Sequence, residues 1–329
     1  MVTTRNIFAI AALIVATIGC SKIDPNGFLI APSHTKDRYL QSKYYFENNK
    51  PEHSSTAPGE FVLFVDKDQP YRYLLGADFH MKSDTARMQT FLDLTRKKDL
   101  DNIGRYYRFA SILGDIAETQ PEYYSKASSM IERAINDSVG LTDTTIYLKD
   151  FPLYAVVGNH DITHNGWAYF VDVFGTSTYT VWVVGIDVET EEMAWIDCHT
   201  FLDSANGTLG EGQLKEFLPE NISMLRNIFR NVFVYTHNPF FRHRYDAVAS
   251  NFPRDELYWL MNFFAENRVN YVFSGHIHVH GENSFRDVHY ITLNAFSEEH
   301  TPKQAELCEV SVSGEGNNNI DLKWLYYDK

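Results

Sequence analysis

Five short apolar runs in this chain end in the same way, and that repetition constrains the fold more than any other feature. After YLLGA comes Asp78-Phe79-His80, and after SIL comes Gly114-Asp115-Ile116-Ala117-Glu118. After YAVV comes Gly158-Asn159-His160-Asp161, after VFVYT comes His237-Asn238-Pro239, and after YVFS comes Gly275-His276-Ile277-His278. Short apolar runs bounded by glycine and polar residues read as buried strands. In an open α/β sheet, ligands bind at the strand ends. Four of the five ends carry histidine, the fifth carries carboxylate, and Asp and Asn beside the histidines add further carboxylate and amide oxygen, a donor set suited to a transition metal. Unrelated loop residues would not each follow an apolar strand.

The rest of the chain extends this alternation. Phe61–Val65, Tyr73–Ala77, Phe109–Leu113, Leu153–Val157, Val232–Thr236, Tyr271–Ser274 and Tyr290–Ala295 are short apolar runs. Residues 122–135 place Tyr123, Ala127, Met130 and Ala134 on one helical stripe. Residues 254–266 follow Pro253 as a helix, and a shorter helix from Glu211 to Leu218 is expected to end near Pro219. Segments 177–186 and 193–200 pair as strands, and AELCEVSV, GEGNNN and IDLKWLYY close the chain as a hairpin. The expected architecture is a layered α/β sandwich with sheets inside and helices outside. A hydrophobic content of 44% is enough for its core. With 29 basic against 43 acidic residues, the net charge of −14 disfavours nucleic acid as a partner.

The series DFH, GDIAE, GNHD, TH and GHIH resembles the calcineurin-like metallophosphoesterases, over roughly residues 60–300. That resemblance implies a four-layer α/β/β/α sandwich around two divalent or trivalent metal ions, drawn from Mn, Fe and Zn. It implies that Asp78, His80 and His278 hold one metal, that Asn159, His237 and His276 hold the other, and that Asp115 bridges both. It places His160 beside the site as the catalytic residue that does not bind metal. The implied activity is hydrolysis of a small phosphoric ester, monoester or diester, by a metal-bound hydroxide. The alternative is a binding lipoprotein that keeps the fold without turnover. Since all seven ligand positions and His160 are present, the enzyme reading is preferred. Purple acid phosphatases in the same superfamily have tyrosine where this chain has Glu118, so no iron–tyrosinate centre is implied. Asp161 is expected to orient His160 or another ligand, or to be a turn carboxylate. Gly275 is expected to let the backbone turn tightly beside the metals, while His280 lies outside the motif.

The N-terminus carries one arginine, then an apolar run from Ile7 to Ile18 that stops at Gly19-Cys20. That run is too short for a membrane span and suits a signal-peptide core. It resembles a bacterial lipoprotein signal, with cleavage before Cys20 and lipid on that cysteine. The expected organisation is a signal peptide at 1–19, a lipid-anchored polar tether with some local structure at 20–58, and the metallophosphoesterase domain at 59–329. The expected location is the cell envelope, periplasmic or at the outer-membrane surface. In that oxidising setting Cys198 and Cys308 are compatible with one disulfide or with two buried thiols, and no spacing marks either as ligand or nucleophile. Arg242 and Arg244 are candidates for pairing with a phosphate, and Trp167 and Tyr169 for stacking on a base or sugar.

Overall fold

A computed structural model of the chain describes residues 32–49, 61–95, 98–99, 104–136, 152–164, 166–241, 252–301 and 303–328. The expected signal peptide, Cys20, Arg242 and Arg244 lie outside the described residues. In chain order the elements begin with α1 (Pro32–Asn49), β1 (Val62–Asp66), β2 (Tyr71–Gly76) and α2 (Ala86–Thr95). Next come β3 (Lys98–Asp99), β4 (Gly104–Arg105), β5 (Phe109–Ile112), α3 (Pro121–Asn136), β6 (Leu153–Ala155) and α4 (Gly166–Phe174). They continue through β7 (Tyr179–Ile186), β8 (Met193–Phe201) and a helical stretch, α5, that starts at Gly210–Gly212. Then follow β9 (Phe229–Tyr235), α6 (Arg254–Glu266), β10 (Tyr271–Ser274), β11 (Gly281–Phe285), β12 (Val288–Thr292), β13 (Ala305–Val312) and β14 (Ile320–Tyr327).

Two sheets form the centre. One has seven strands in the order β1-β7-β8-β9-β10-β12-β11, the other five in the order β14-β13-β2-β5-β6. Side-chain alternation of period two sorts the strand residues into layers. On β9, Phe233 and Tyr235 enter the core between the sheets, while Val232 and Val234 face the layer of α5 and α6. On β2, Tyr73 and Leu75 point between the sheets, and Leu74 points to the layer of α2, α3 and α4. The inter-sheet core is rich in rings, with Tyr73 stacked on Phe109 at 4.5 Å between centroids. Three buried clusters separate four layers, helices–sheet–sheet–helices, as expected for the α/β/β/α sandwich.

Two details differ from the sequence reading, and a third concerns an alternative that it left open. Residues 32–49, inside the expected tether, form a helix seated on the domain. Buried Arg38 donates from Nε and Nη2 to Asp203 at 2.7 and 3.1 Å, and Tyr39 enters the core. Helical turns do not stop at Pro219. They pass as π-helix through Gln213–Phe217 and again through Pro219–Ser223, and the wider turns carry the chain past Pro219 without a break. Cys198 and Cys308 are free thiols, buried on different sheets. No helix among the described residues is long and apolar enough to cross a membrane.

Candidate metal centre

The parallel arrangement of β2, β5 and β6 in one sheet, and of β9 and β10 in the other, turns their C-terminal ends to one edge of the sandwich. Each loop leaves its strand abruptly. Asp78, His80, Asp115, His276 and His278 all have left-handed backbone, with φ of 51°, 42°, 51°, 75° and 52°. Non-glycine residues rarely adopt it, at a cost of order 1–3 kcal/mol each. Five such residues at one site mark a geometry that the surrounding fold enforces. Gly275 was expected to make the turn, but the left-handed residue is His276. The glycine is needed for close approach, since a Cβ there would lie 2.5 Å from Asp78 Oδ2.

All eight residues singled out from the motifs meet here. His80 Nε2 faces His278 Nε2 at 3.0 Å and Asp115 Oδ2 at 3.6 Å, and His278 Nε2 lies 3.6 Å from Asp78 Oδ1. On the other side, His237 Nε2 faces Asn159 Oδ1 at 3.0 Å, His276 Nδ1 at 3.1 Å and Asp115 Oδ2 at 3.3 Å. His237 Nδ1 donates to the Leu113 carbonyl at 2.8 Å, which fixes the tautomer and leaves Nε2 facing the centre. Asp115 belongs to both groups, with Asp78 and His80 in one and with His237 and His276 in the other, each group's ligand atoms lying within 4.8 Å of one another. The His160 backbone N–H donates to Asp115 Oδ1 at 2.8 Å, so the residue beside the centre is tied to the carboxylate the two groups share.

Charge follows the same plan. Burial opposes ionisation of Asp115, but His237, His80 and His160 outweigh it and hold its carboxyl well below the usual range. Burial also disfavours charge on His237, yet Asp115 and Asp78 push it up to about 10. His276 goes the other way, down to about 4, through burial and the neighbouring His237. Burial lowers His160 too, but Glu118 and Asp115 prevail and push it up to about 9. Asp161 accepts the amide N–H groups of Gly158, Asp115 and Ile116, each at 2.9 Å. It therefore staples the loop after β6 to the loop after β5 and orients the backbone of Asp115. Burial and Asp115 push its own carboxyl up to about 7.

Two residues of the site escaped the motif reading. Glu118 was noted only for its position. Its Oε1 lies 3.1 Å from His80 Nδ1, and its Oε2 lies 3.3 Å from His160 Nδ1. His160, His300 and His80 together hold its carboxyl far below the usual range. His300 sits in SEEHT beyond β12, with its ring 4.4 Å from His80 and 4.5 Å from His278. No local pattern announces it. His280, the last of the alternating histidines, turns away, bound to Glu306 at 2.9 Å and Glu282 at 3.2 Å. Trp167 and Tyr169 are partly buried and pack against the helical-side core.

The family model for the calcineurin-like phosphoesterases matches residues 71–280. In structure the chain is similar to GAP50, the anchor in the inner membrane complex of Plasmodium. The identity is 14% over 78% of this chain and 84% of that one, with a TM-score of 0.55. It is also similar to the purple acid phosphatase PPD1 from yellow lupin (Lupinus luteus) seeds, at 12% identity over 80% of this chain and 55% of that one, with a TM-score of 0.52. These likenesses concern the fold. No curated protein matches the sequence. The donor set fits metal ions. Imidazole nitrogens face each other at about 3 Å in two places, and carboxylate oxygens flank both, so an ion can take the place of the proton each pair would otherwise share. His276 Nε2 is a buried atom without a hydrogen-bond partner.

Proposed function

The chain belongs to the calcineurin-like phosphoesterase family, and from that premise we propose that it hydrolyses a small phosphoric ester at a two-metal centre. The observation that carries this reading is the Asp115 carboxylate shared by two groups of ligand atoms. A carboxylate offers two oxygens and a full charge, whereas Asn159 offers one neutral oxygen. When bound, the two ions would supply a nucleophile at neutral pH and neutralise charge on the phosphoryl group. Asp78, His80 and His278 would hold one ion, Asn159, His237 and His276 the other, with Asp115 between. Mn, Fe and Zn all suit these donors.

The chain's own residues do the rest. His160 reaches the centre from the loop after β6, and its backbone is fixed by Asp115. Its ring stands beside Glu118, which keeps it protonated and ready to give that proton to a leaving alkoxide. A groove of about 170 Å³ opens beside His80, with apolar Phe79, Met81 and Met88 and charged Lys82, Arg87 and Glu299 on its walls. It offers apolar and charged contacts beside ligand His80. The apolar run ending at Gly19-Cys20 supports attachment by lipid to the cell envelope, which the mass of the mature N-terminus would test.

The activity is tested with an aryl phosphomonoester and an aryl phosphodiester, with Mn, Zn or Fe added and again with chelator. Chelator-sensitive turnover is expected, and the faster ester names the class. A folded protein with no turnover under any metal would instead favour the non-catalytic binding lipoprotein.

A further inference from the structure

Building on the two-metal reading above, we infer that His300 is a further ligand of the ion held by Asp78, His80 and His278. The rings of His80, His278 and His300 form a near-equilateral cluster, with centroids 4.8, 4.4 and 4.5 Å apart. Each ring offers a ligand nitrogen, and the three nitrogens lie within 4.8 Å of one another. An ion bonding nitrogen at about 2.0–2.1 Å puts adjacent donors about 3.0–3.4 Å apart and opposite donors about 4.2 Å apart. His80 and His278 already meet the first spacing, at 3.0 Å. The upper limit of 4.8 Å for the His300 nitrogen is close to the spacing of opposite donors.

The loop that carries His300 is built for position. Its base is tied to the Asp78 motif, where the Phe296 N–H donates to the Ala77 carbonyl at 2.8 Å. Its tip is closed by the Thr301 N–H and hydroxyl, both donating to the Ser297 carbonyl at 3.2 and 3.1 Å. An ion pair between Lys82 and Glu299 joins it to the segment after His80. Among the described residues the ring's charged partner is Glu118, and that pair is loose. Its Nε2 lies 3.7 Å from Glu118 Oε1, beyond hydrogen-bond length.

This ligand makes the two ion positions unequal. The position with Asn159, His237 and His276 has four protein donors counting Asp115, and the position with His300 has five. A fifth donor favours an ion that accepts six-fold coordination, such as Mn or Fe, over Zn, which prefers four.

The test is calorimetric titration of the metal-free full chain with Mn²⁺ and with Zn²⁺, comparing wild type with His300→Ala and Glu118→Gln. Wild type should take up two ions. His300→Ala should weaken one Mn²⁺ step by more than about 100-fold and leave the other unchanged. Glu118→Gln, which removes a partner of ligand His80, should fall within the about 10–100-fold range of outer-shell changes. Thermal unfolding of metal-free His300→Ala should match wild type, because the side chain lies at the surface; His300→Gln provides a second variant if it does not. Both steps unchanged in the His300 variants, or a loss no larger than that of Glu118→Gln, would overturn the assignment and leave His300 as a contact for substrate. Wild type taking up fewer than two ions would instead overturn the two-metal reading itself.

Discussion

His199 and His237 are equally buried, both fully closed off from solvent, yet they are opposite in chemistry. His199 lies inside the sandwich on β8, stacked on Phe233 and edge-on to Tyr73. The hydroxyls of Tyr235 and Tyr71 stand 2.8 Å from its Nδ1 and 3.1 Å from its Nε2, so both nitrogens are served without any charge. Burial pushes it down to about 3. His237 follows β9 directly, faces Asp115 and Asp78, and is pushed up to about 10. Burial alone makes a histidine neutral and structural. Burial beside carboxylates stores a positive charge that a metal ion can replace. The strand interior and the strand end of one sandwich thus use the same residue for packing and for chemistry.

The largest test of that contrast is Asp115→Asn. It removes the charge that both groups of ligands share, so elemental analysis should find both metals lost together; loss of only one would contradict the bridge. Next in size, His160→Ala should slow turnover by about 10²–10⁴ while metal content stays unchanged, since the residue stands beside the centre. If that variant instead comes out metal-free, His160 is a ligand.

A smaller effect concerns proton release. His237 carries a proton at neutral pH when no metal is bound, and a ligating imidazole must be neutral. Metal uptake at pH 7 should therefore expel a proton, seen as a dependence of binding heat on the buffer's ionisation enthalpy, and affinity should climb as pH rises. Heat independent of the buffer would show His237 already neutral. The smallest effect belongs to His199. Its folded value lies below the unfolded 6.5, so the unfolded chain takes up the proton first as pH falls. Its share of stability is present above pH 6.5 and declines towards pH 3, by about 1.4 kcal/mol per pH unit. Denaturant unfolding between pH 6 and 4 should be less steeply pH-dependent in His199→Gln than in wild type. Identical slopes would mean that the buried ring is charged.

The strand-end motifs were legible because each is local, with the apolar run and the polar tip adjacent in sequence. What stayed hidden depends on residues far apart. The helix at 32–49 reads as polar tether because its anchor, Arg38 on Asp203, spans 165 positions. Glu118 sat inside a recognised motif, but its tie to His80 and His160 exists only once three loops meet. His300 lies 22 residues past His278 in a segment with no pattern of its own. The tight turn was assigned to Gly275 when the left-handed residue is His276, because glycine preference describes what a backbone permits and not what a site enforces.

The measurement that tests the account most directly is the number of metal ions per chain in active protein, followed through chelation and reloading. The account predicts two ions, loss of turnover as they leave, and recovery as they return. One ion at full activity, or turnover that survives complete removal, would contradict it.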